Sequence, residues 1–432
     1  TSSHCASSKD IVKLMNRQTA PTDWKGSVMQ SRIAKRYAAE RRFKLFGLGA
    51  VLLSGAFLAF LLFVMVGNGA RGFTYTHVAV PVDFKAMPLT IDTARLGDAD
   101  ADQVIANAGL ADIVAFAADE ALGADGSKLI SENAWKEVRS AIKDDPELLN
   151  GKTVFELPAA SEVDIAAKEG AKGALGAKVD ALEKDGKLST GIHWPFFRNA
   201  DATDPAVAGI WGALKGSVLT IFIAFLIAFP TGVLAALYLE EYAPKNRWTD
   251  LIEVSINNLA AVPSIIFGLL ALAVFINWFG LCQASPLVGG LTLALMTMPV
   301  IVIASRNAIK SVPPSIRDAA LGVGASPVQV VFHHVLPLAL PGILTGTIIG
   351  MARALGETAP LLLIGMRAFI GDVPSGVCSP ATVLPMQIFL WSDEVDRGFV
   401  EKTSAAIIVL LFVLLSMNAL AIYLRNKFEK RW

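Results

Sequence analysis

Six long apolar runs divide the sequence, and each contains few charged residues. They are residues 45–67, 210–239, 251–280, 286–305, 340–364 and 405–424. A helix of about 20 residues crosses a hydrocarbon core of about 30 Å. Because backbone polar groups in lipid must be satisfied within the segment, runs of this length are predicted to be helices. The pattern therefore predicts an all-α, polytopic membrane protein with six transmembrane helices.

The composition supports this prediction. Hydrophobic residues occupy 53% of the 432 positions and charged residues 18%, which is a smaller charged share than soluble proteins carry. Residues 1–44 contain ten Lys and Arg against three Asp and Glu. The positive-inside rule therefore predicts a cytoplasmic basic segment before an uncleaved first span, 45–67. Nucleic-acid binding is the alternative for such a stretch, but its position beside a span favours an orientation signal, and we predict no nucleic-acid partner.

Residues 68–205 differ in character from the rest of the chain. They contain 23 acidic and 14 basic residues and several amphipathic stretches with helical spacing, so they predict a largely helical extracytoplasmic domain. No metal-ligand spacing, nucleophile motif or phosphate loop occurs in this sequence segment. We therefore predict a structural or docking role for the domain and no metal site.

Charge asymmetry also orients the remainder, a predicted membrane core at 206–432. Basic residues predominate in the segment 306–317 and after Leu424, whereas acidic residues predominate between the fifth and sixth spans. Both termini are thus predicted to be cytoplasmic. This topology places Cys282 and Cys378 outside the cytoplasm, where disulfides persist, and we predict a disulfide between them. Cys5 is predicted to be a free cytoplasmic thiol.

Two short capped helices are predicted in the cytoplasmic loop 306–337. Pro313 and Pro314 end the preceding helix, and Ser315 with Asp318 has the spacing of a capping box. A second capping box begins at Ser326, and Pro337 is expected to end the second helix. Such a rigid knob beside a span is suited to passing force to a soluble partner.

The fifth run carries a stripe of small residues and a charge pair. The stripe recurs every four residues at Gly342, Gly346, Gly350 and Ala354, and it predicts close helix packing either within the chain or against a second membrane subunit. Arg353 and Glu357 flank it. Ionisable groups within a span are costly, so a functional role is the default hypothesis. A guanidinium can bind oxyanions through two parallel hydrogen bonds, and a neighbouring carboxylate can weaken that binding enough for passage.

The loop carries a family resemblance. Its motif consists of Asp318, Ala319, Ala320, Gly324, Leu336 and Pro337. It resembles the EAA loop of ABC importer permeases, with Asp318 where that family has Glu and His334 where an aliphatic residue is common. The continuation 352–360, together with LEEYAP at 239–244 and VPSIIFGLLAL at 262–272, is similar to the A-type permease of the phosphate-specific (Pst) importer, in a branch with an extra periplasmic segment.

The resemblance implies a type I ABC importer permease fold in a bacterial cytoplasmic (inner) membrane. It also implies that the EAA loop couples the permease to an ATPase. The implied partners are a second homologous permease, two ATPase subunits, an extracytoplasmic phosphate-binding protein and the lipid bilayer. The matching Arg353 and Glu357 are implied transport residues, and we predict that Thr358 lies on the same path. Ser264, after Pro263 in the third span, could add a hydroxyl to the same path, but an ordinary helix kink is the favoured alternative there.

The sequence contains no G-x-x-x-x-G-K-[ST] phosphate loop. We therefore expect a transporter subunit that is not itself an enzyme, that binds no cofactor, and whose ATP is hydrolysed on a partner chain.

Two alternatives to phosphate import remain: a permease for another oxyanion, such as sulfate or molybdate, and a membrane-anchored sensory or interaction protein. Deletion of residues 75–200 should disable a sensor, whereas a permease could still transport.

Overall fold

The computed structural model describes residues 26–89, 101–170, 173–366 and 369–428. The described chain is mostly helical, as the sequence predicts. It divides into two units, residues 1–64 and 65–432. The first helix, α1, spans Ser27–Gly72.

A small α+β region follows α1, and we call it the sheet domain. Its elements are β1 (Thr74–Asp83), α2 (Ala101–Asn107), α3 (Leu110–Leu122), α4 (Trp135–Asp144), β2 (Lys152–Pro158), α5 (Ser161–Glu169), α6 (Ala174–Lys184), β3 (Leu188–Ile192) and α7 (Trp194–Arg198). The strands form one antiparallel sheet in the order β2-β1-β3. The helical spacing in residues 68–205 predicts a largely helical domain, and the sheet is an addition that this spacing does not predict.

β1 shows why the sheet forms. Its residues alternate, and Val78, Val80 and Val82 are fully buried against the helices, whereas the intervening positions are partly exposed. β-branched residues at a period of two suit a strand with one covered face. Ile105, Leu110 and Val114 belong to the same core.

The remaining helices form the membrane core, and they range from long apolar helices to short connecting ones. They are α8 (Trp211–Leu237), α9 (Arg247–Ala260), α10 (Ser264–Ala271), α11 (Pro286–Lys310), α12 (Pro314–Gly322), α13 (Pro327–Val330), α14 (Leu336–Leu355), α15 (Ala359–Leu363), α16 (Leu384–Ser392) and α17 (Gly398–Phe428). Among the described residues, five helices are long and apolar enough to cross a membrane. A bent helix pair brings the number to six if it counts as one span.

The bent pair replaces the predicted straight third span, 251–280. α9 and the helix from Ser264 to Trp278 meet at an angle of 101°. Pro263 lies at the break and N-caps α10. Proline has no N–H to donate and disfavours helical geometry in the preceding residue, so the helix cannot continue through Val262.

The predicted fifth span, 340–364, is also interrupted. α14 ends at Leu355 and α15 begins at Ala359. Pro360 occupies the first turn of α15, where a missing N–H is tolerated. Pro360 therefore starts a new helix and does not simply kink the old one.

α8 and α11 form the centre of the core because small residues let them approach closely. A Cβ added at Gly290 would lie 2.6 Å from the Cβ of Ile223, and one at Gly232 would lie 2.9 Å from Cγ2 of Ile301. Both distances are shorter than real packing permits, so these two positions require glycine for the close approach.

A buried group of polar and charged residues joins the sheet domain to α17. We call this group the basal cluster, and it consists of Lys168, Lys402, Glu401, Asp164 and His193. Lys168 Nζ lies 2.7 Å from Asp164 Oδ2 and 3.1 Å from Glu401 Oε2. Lys402 Nζ lies 3.1 Å from the carbonyl of Gly72 and 2.7 Å from Nδ1 of His193. Each buried ammonium therefore has acceptors, as burial of a charge requires.

His193 can accept from Lys402 because its ring is neutral. Burial, and then the Lys402 ammonium, lower the pKa of His193 to about 3. Its Nε2 lies 2.6 Å from the carbonyl of Ala206. The proton therefore sits on Nε2, which donates to that carbonyl, and Nδ1 accepts.

Candidate functional site

The structure places Arg353 and Glu357 on either side of a helix end. Arg353 lies in the last turn of α14, and Glu357 lies in the break before α15. Arg353 Nε and Glu357 Oε1 are 3.4 Å apart. The apolar run 340–364 predicts both residues inside one helical span. That expectation is wrong because the helix ends at Leu355 with Gly356 as its C-cap.

The two side chains differ in exposure. In this chain 58% of the Arg353 side chain is exposed, against 19% of Glu357. Among the described residues, Glu357 is the sole hydrogen-bond partner of Arg353, and the Nη atoms have none. Within the described part of the chain, four of the five guanidinium N–H donors therefore remain available.

Arg353 borders a depression at the bend between α9 and α10. The depression is lined by Leu259, Ala260, Val262, Phe267, Met296, Thr297, Val300, Gly350 and Arg353. The side chains that line it are apolar except for Arg353 and Thr297, whose hydroxyl donates to the carbonyl of Leu293. An anion reaching this depression would find one strong charged donor against a low-dielectric wall.

Ser264 and Thr358 lie near the two ends of this region. Ser264 is the first residue of α10, two residues after Val262, and is partly exposed. Thr358 N-caps α15 and is partly exposed beside Glu357. α10 and α15 pack closely, since a Cβ added at Gly268 would lie 2.7 Å from Cα of Pro360. The structure thus brings these helices together without a hydrogen bond between the predicted pathway side chains other than the one joining Arg353 and Glu357.

The small-residue stripe of α14 packs within the chain. A Cβ at Gly342 would lie 2.7 Å from the Cβ of Ala308, and one at Gly346 would overlap the Cβ of Ala304. Ala354 is buried as well. Of the two alternatives left by the sequence, the structure places the stripe against α11, not on an open face.

The predicted coupling residues lie on and after α12. Asp318 and Ala319 are exposed, whereas Ala320 is buried. Gly324, which follows α12, has φ of +91°, a conformation that favours glycine. This conformation explains why Gly324 ends the first short helix.

The two predicted capping boxes have different outcomes. At Ser326 the side chain accepts from Gln329 N, and the Gln329 side chain accepts from Ser326 N, so this capping box is present. At Ser315 it is absent because the helix begins one residue earlier, at Pro314, and the N-cap is Pro313. Proline has no side-chain acceptor, so no capping hydrogen bond forms there.

Pro337 does not end the second short helix. A π-helical turn, Val331–Val335, joins α13 to α14, and the helix continues through Leu336 and Pro337. A proline ring clashes with the carbonyl four residues earlier, and a wider turn relieves such a clash. The helix from Pro327 to Leu355 is therefore one candidate span.

A network of arginines and carboxylates, which the sequence analysis missed, joins these short helices to the spans. We call it the arginine clamp: Arg306, Arg317, Glu240, Glu241 and Glu253. Arg317 Nη2 lies 2.7 Å from Glu241 Oε1, and Arg306 Nη2 lies 2.8 Å from Glu253 Oε2. The network could have been predicted from the adjacent carboxylates at 240–241 together with Arg306 and Arg317, which lie in the predicted cytoplasmic loop 306–337.

Cys282 and Cys378 are brought together. Their Cα atoms are 5.6 Å apart and the structure joins them by a disulfide. This separation lies within the usual range for such a bond. Cys5 lies outside the described residues.

Comparison with known proteins identifies two regions. Residues 208–432 match the family model of the binding-protein-dependent transport system inner membrane component. Residues 30–175 match a domain of unknown function, DUF3333. The second match overlaps α1 and most of the sheet domain, and it assigns that region no activity.

Characterised relatives match about half of the chain. A probable ABC transporter permease, YqgI of Bacillus subtilis (strain 168), is 36% identical over 243 residues, which are 53% of this chain and 82% of YqgI. The phosphate transport system permease PstA 1 of Mycobacterium tuberculosis (strain CDC 1551 / Oshkosh) is 30% identical over 225 residues, 50% of this chain and 70% of that protein. A PstC permease of Pasteurella multocida (strain Pm70) is 30% identical over 246 residues, 50% of this chain and 76% of PstC. The family model alone covers more than half of the present sequence, and the chain therefore belongs to the binding-protein-dependent transport system inner membrane components, the permeases of ABC transporters.

Proposed function

We propose that this chain is the A-type permease subunit of an ATP-driven importer that moves inorganic phosphate into the cytoplasm. The cargo assignment is supported by the phosphate permeases among its relatives. The observation that carries it in this chain is the largely exposed Arg353 guanidinium beside the depression at the bend of α9 and α10. Inorganic phosphate presents the oxygens that such a guanidinium binds.

The arrangement around Arg353 suits passage of an anion. A site that holds phosphate tightly would slow its release, so a transport path needs weak, exchangeable contacts. The Glu357 carboxylate competes with an incoming anion for the Arg353 guanidinium, because its Oε1 lies 3.4 Å from Arg353 Nε. This competition weakens the binding of the anion. The other side chains that line the depression are apolar, apart from the Thr297 hydroxyl, which already donates to the carbonyl of Leu293.

The proposed topology follows from the charges. We propose that residues 1–44 and the C-terminus are cytoplasmic, that residues 68–205 lie outside, and that residues 206–432 form the transport core. In this arrangement the exposed side of α12, with Asp318 and Ala319, faces the cytoplasm. We propose that it meets one of two ATPase subunits, and that a second permease and an extracytoplasmic phosphate-binding protein complete the importer.

Uptake of radiolabelled phosphate tests the cargo and the role of Arg353 together. Cells lacking this chain would receive the native chain, Arg353→Gln or, as a matched control, Arg198→Gln, which alters an exposed arginine of α7. We expect uptake to depend on the chain and to fall about tenfold in Arg353→Gln, since a hydrogen bond to a charged group contributes about 1.5–3 kcal/mol. Arg198→Gln should transport at the native rate when membrane levels are equal.

Competitors decide between oxyanions. Arsenate should compete with phosphate, whereas sulfate and molybdate should not. If phosphate uptake is unaffected by the chain while sulfate or molybdate uptake requires it, the phosphate assignment is wrong. Native uptake by Arg353→Gln would contradict the pathway role and leave the cargo assignment in place.

A further inference from the structure

The arginine clamp begins at an irregular turn of the chain. α8 ends in a π-helical turn, Tyr238–Tyr242, which carries two consecutive glutamates. Glu240 Oε2 lies 3.4 Å from Arg306 Nε, and Glu241 Oε1 lies 3.2 Å from Arg317 Nε. In a regular helix adjacent side chains diverge by about 100°, so the wide turn helps both carboxylates to reach the same group of cations. π-helical turns often occur at functional sites.

Arg317 uses both edges of its guanidinium. Besides the two nitrogen contacts with Glu241, Nη1 donates to the carbonyl of Val312 at 2.7 Å and Nη2 donates to the carbonyl of Ile309 at 3.1 Å. These two carbonyls lie at the C-terminal end of α11 and just beyond it. One side chain on α12 therefore ties that helix to the ends of both α8 and α11.

Apolar packing alone holds α12 weakly. Of its nine residues, Ala320 is the only fully buried one, and Ile316 packs partly buried against the same core. The Arg317 and Glu241 side chains are 22% and 11% exposed, so their charges are partly withdrawn from solvent and are screened less than a surface pair. The orientation of α12 thus depends largely on this ion pair and its backbone contacts.

Arg306 extends the network to the bent helix pair. Its Nη2 contacts Glu253 on α9 at 2.8 Å, while its Nε faces Glu240. The other end of α9 supplies Leu259 and Ala260 to the depression beside Arg353. A continuous chain of contacts therefore runs from α12, through the clamp, to the helix that borders the proposed pathway.

We propose that Arg317 and Glu241 are positioning residues that fix α12 to α8 and α11, so that movement imposed on α12 by an ATPase reaches the spans. This inference rests on the proposed function, because it takes α12 to be the ATPase contact. Without the pair, α12 would be held chiefly by the packing of Ala320 and Ile316. It could then tilt, and ATP hydrolysis would continue without moving the spans by the full amount. The expected defect is therefore in coupling, with assembly retained.

The test compares phosphate imported with ATP hydrolysed. The assembled importer, with its ATPase, partner permease and binding protein, would be reconstituted in vesicles with the native chain, Glu241→Gln, Arg317→Gln or Glu241→Asp. We expect phosphate imported per ATP to fall about tenfold in both neutral variants, the factor that corresponds to losing one charge-assisted contact. Glu241→Asp keeps the charge and should recover part of the ratio.

Lys310→Gln serves as the matched control. Lys310 faces the same Glu240 at 3.5 Å, but its side chain is 50% exposed, and exposed pairs contribute little. Its coupling ratio should equal that of the native chain. A purely structural effect would lower the amount of assembled complex and leave the ratio per complex unchanged, so an unchanged ratio in Glu241→Gln overturns the proposal.

Two outcomes separate this inference from the proposed function. Should Arg317→Gln fail to assemble, Glu241→Gln decides, because Arg317 keeps its backbone contacts in that variant. Should the native complex import no phosphate, the cargo proposal fails. The clamp would then be judged by whether Glu241→Gln abolishes the stimulation of ATP hydrolysis by the binding protein: loss supports it, and native stimulation overturns it.

Discussion

At the scale of single residues, Gly346 and Gly350 show how one stripe contains positions with different requirements. A Cβ at Gly346 would overlap Ala304, whereas one at Gly350 would lie 3.8 Å from its nearest neighbours on Ile301 and Val300. The two residues lie one turn apart on the same face of α14. They therefore make a matched pair for substitution.

We expect Gly346→Ala to lower the free energy of unfolding by about 1–3 kcal/mol, because overpacking forces α14 and α11 apart. Gly350→Ala should be neutral or slightly stabilising, since alanine favours a helix by about 1 kcal/mol over glycine. Thermal unfolding of the purified chain in detergent measures both. Equal unfolding temperatures for the two variants would contradict the close contact at Ala304.

The residues of the candidate site could be chosen from the sequence, but their surroundings could not. Arg353 and Glu357 are conspicuous as charges in an apolar run, and the small-residue period is visible by inspection. The partner of the stripe is less visible because it depends on Ala304 and Ala308, small residues on a different helix. Arg353 is largely exposed because α14 ends two residues after it, at Leu355. The Arg353 side chain does not itself determine where the helix ends.

At the scale of elements, the strands were missed because each pairs with distant sequence. β1 pairs with β2 and β3, which begin about 80 and 110 residues later. The alternation of buried valines with partly exposed residues from Val78 to Val82 is typical of a strand. The helical spacing of the surrounding segment made this short pattern hard to recognise. The bends at Pro263 and Pro360 and the π-helical turn before Pro337 show the opposite case: prolines marked the right places, but each can end, bend or begin a helix.

Glu137 on α4 gives the sheet domain a predicted pH dependence. Burial, and then the nearby charge of Glu156, raise the pKa of Glu137 from 4.5 to about 7. The folded state therefore binds this proton more tightly than the unfolded state does. The stabilisation is fully present below pH 4.5, decreases as the pH rises, and is lost once the pH exceeds about 7.

Comparison of unfolding temperatures at pH 5 and pH 8 tests this assignment. The native chain should lose stability over this interval, and Glu137→Gln should lose less, because an amide has no proton to release. Glu132→Gln, which alters an exposed glutamate before α4, should behave as the native chain does. The assignment fails if Glu137→Gln retains the full native pH dependence.

At the scale of the whole molecule, the disulfide joins residues 96 positions apart. Cys282 precedes α11 and Cys378 precedes α16, so the bond holds two connecting segments of the membrane core together. Unfolding the unreduced protein and labelling its thiols should reveal one thiol, from Cys5, and reduction should reveal three. Three labelled thiols before reduction would show that the bond is absent.

The basal cluster changes how the sensory alternative should be tested. Deleting residues 75–200 removes Lys168 and His193, the partners of Glu401 and Lys402 on α17. Leaving such charges buried and unpaired is strongly destabilising. A failed deletion would therefore not distinguish a sensor from a permease whose last helix has lost its partners.

The hydrogen bond from His193 N to the carbonyl of Phe73, at 2.9 Å, has an evolutionary consequence. The polypeptide leaves α1 and returns from β3 at nearly the same point, and the ring of Phe73 stacks on Phe197 there. A segment whose two ends coincide can be gained or lost as a cassette without altering the spacing of the helices on either side. We expect an ancestral permease without this segment to have had uncharged residues where Glu401 and Lys402 now stand. The segment supplies Lys168 and His193, the partners that stabilise these two buried charged residues.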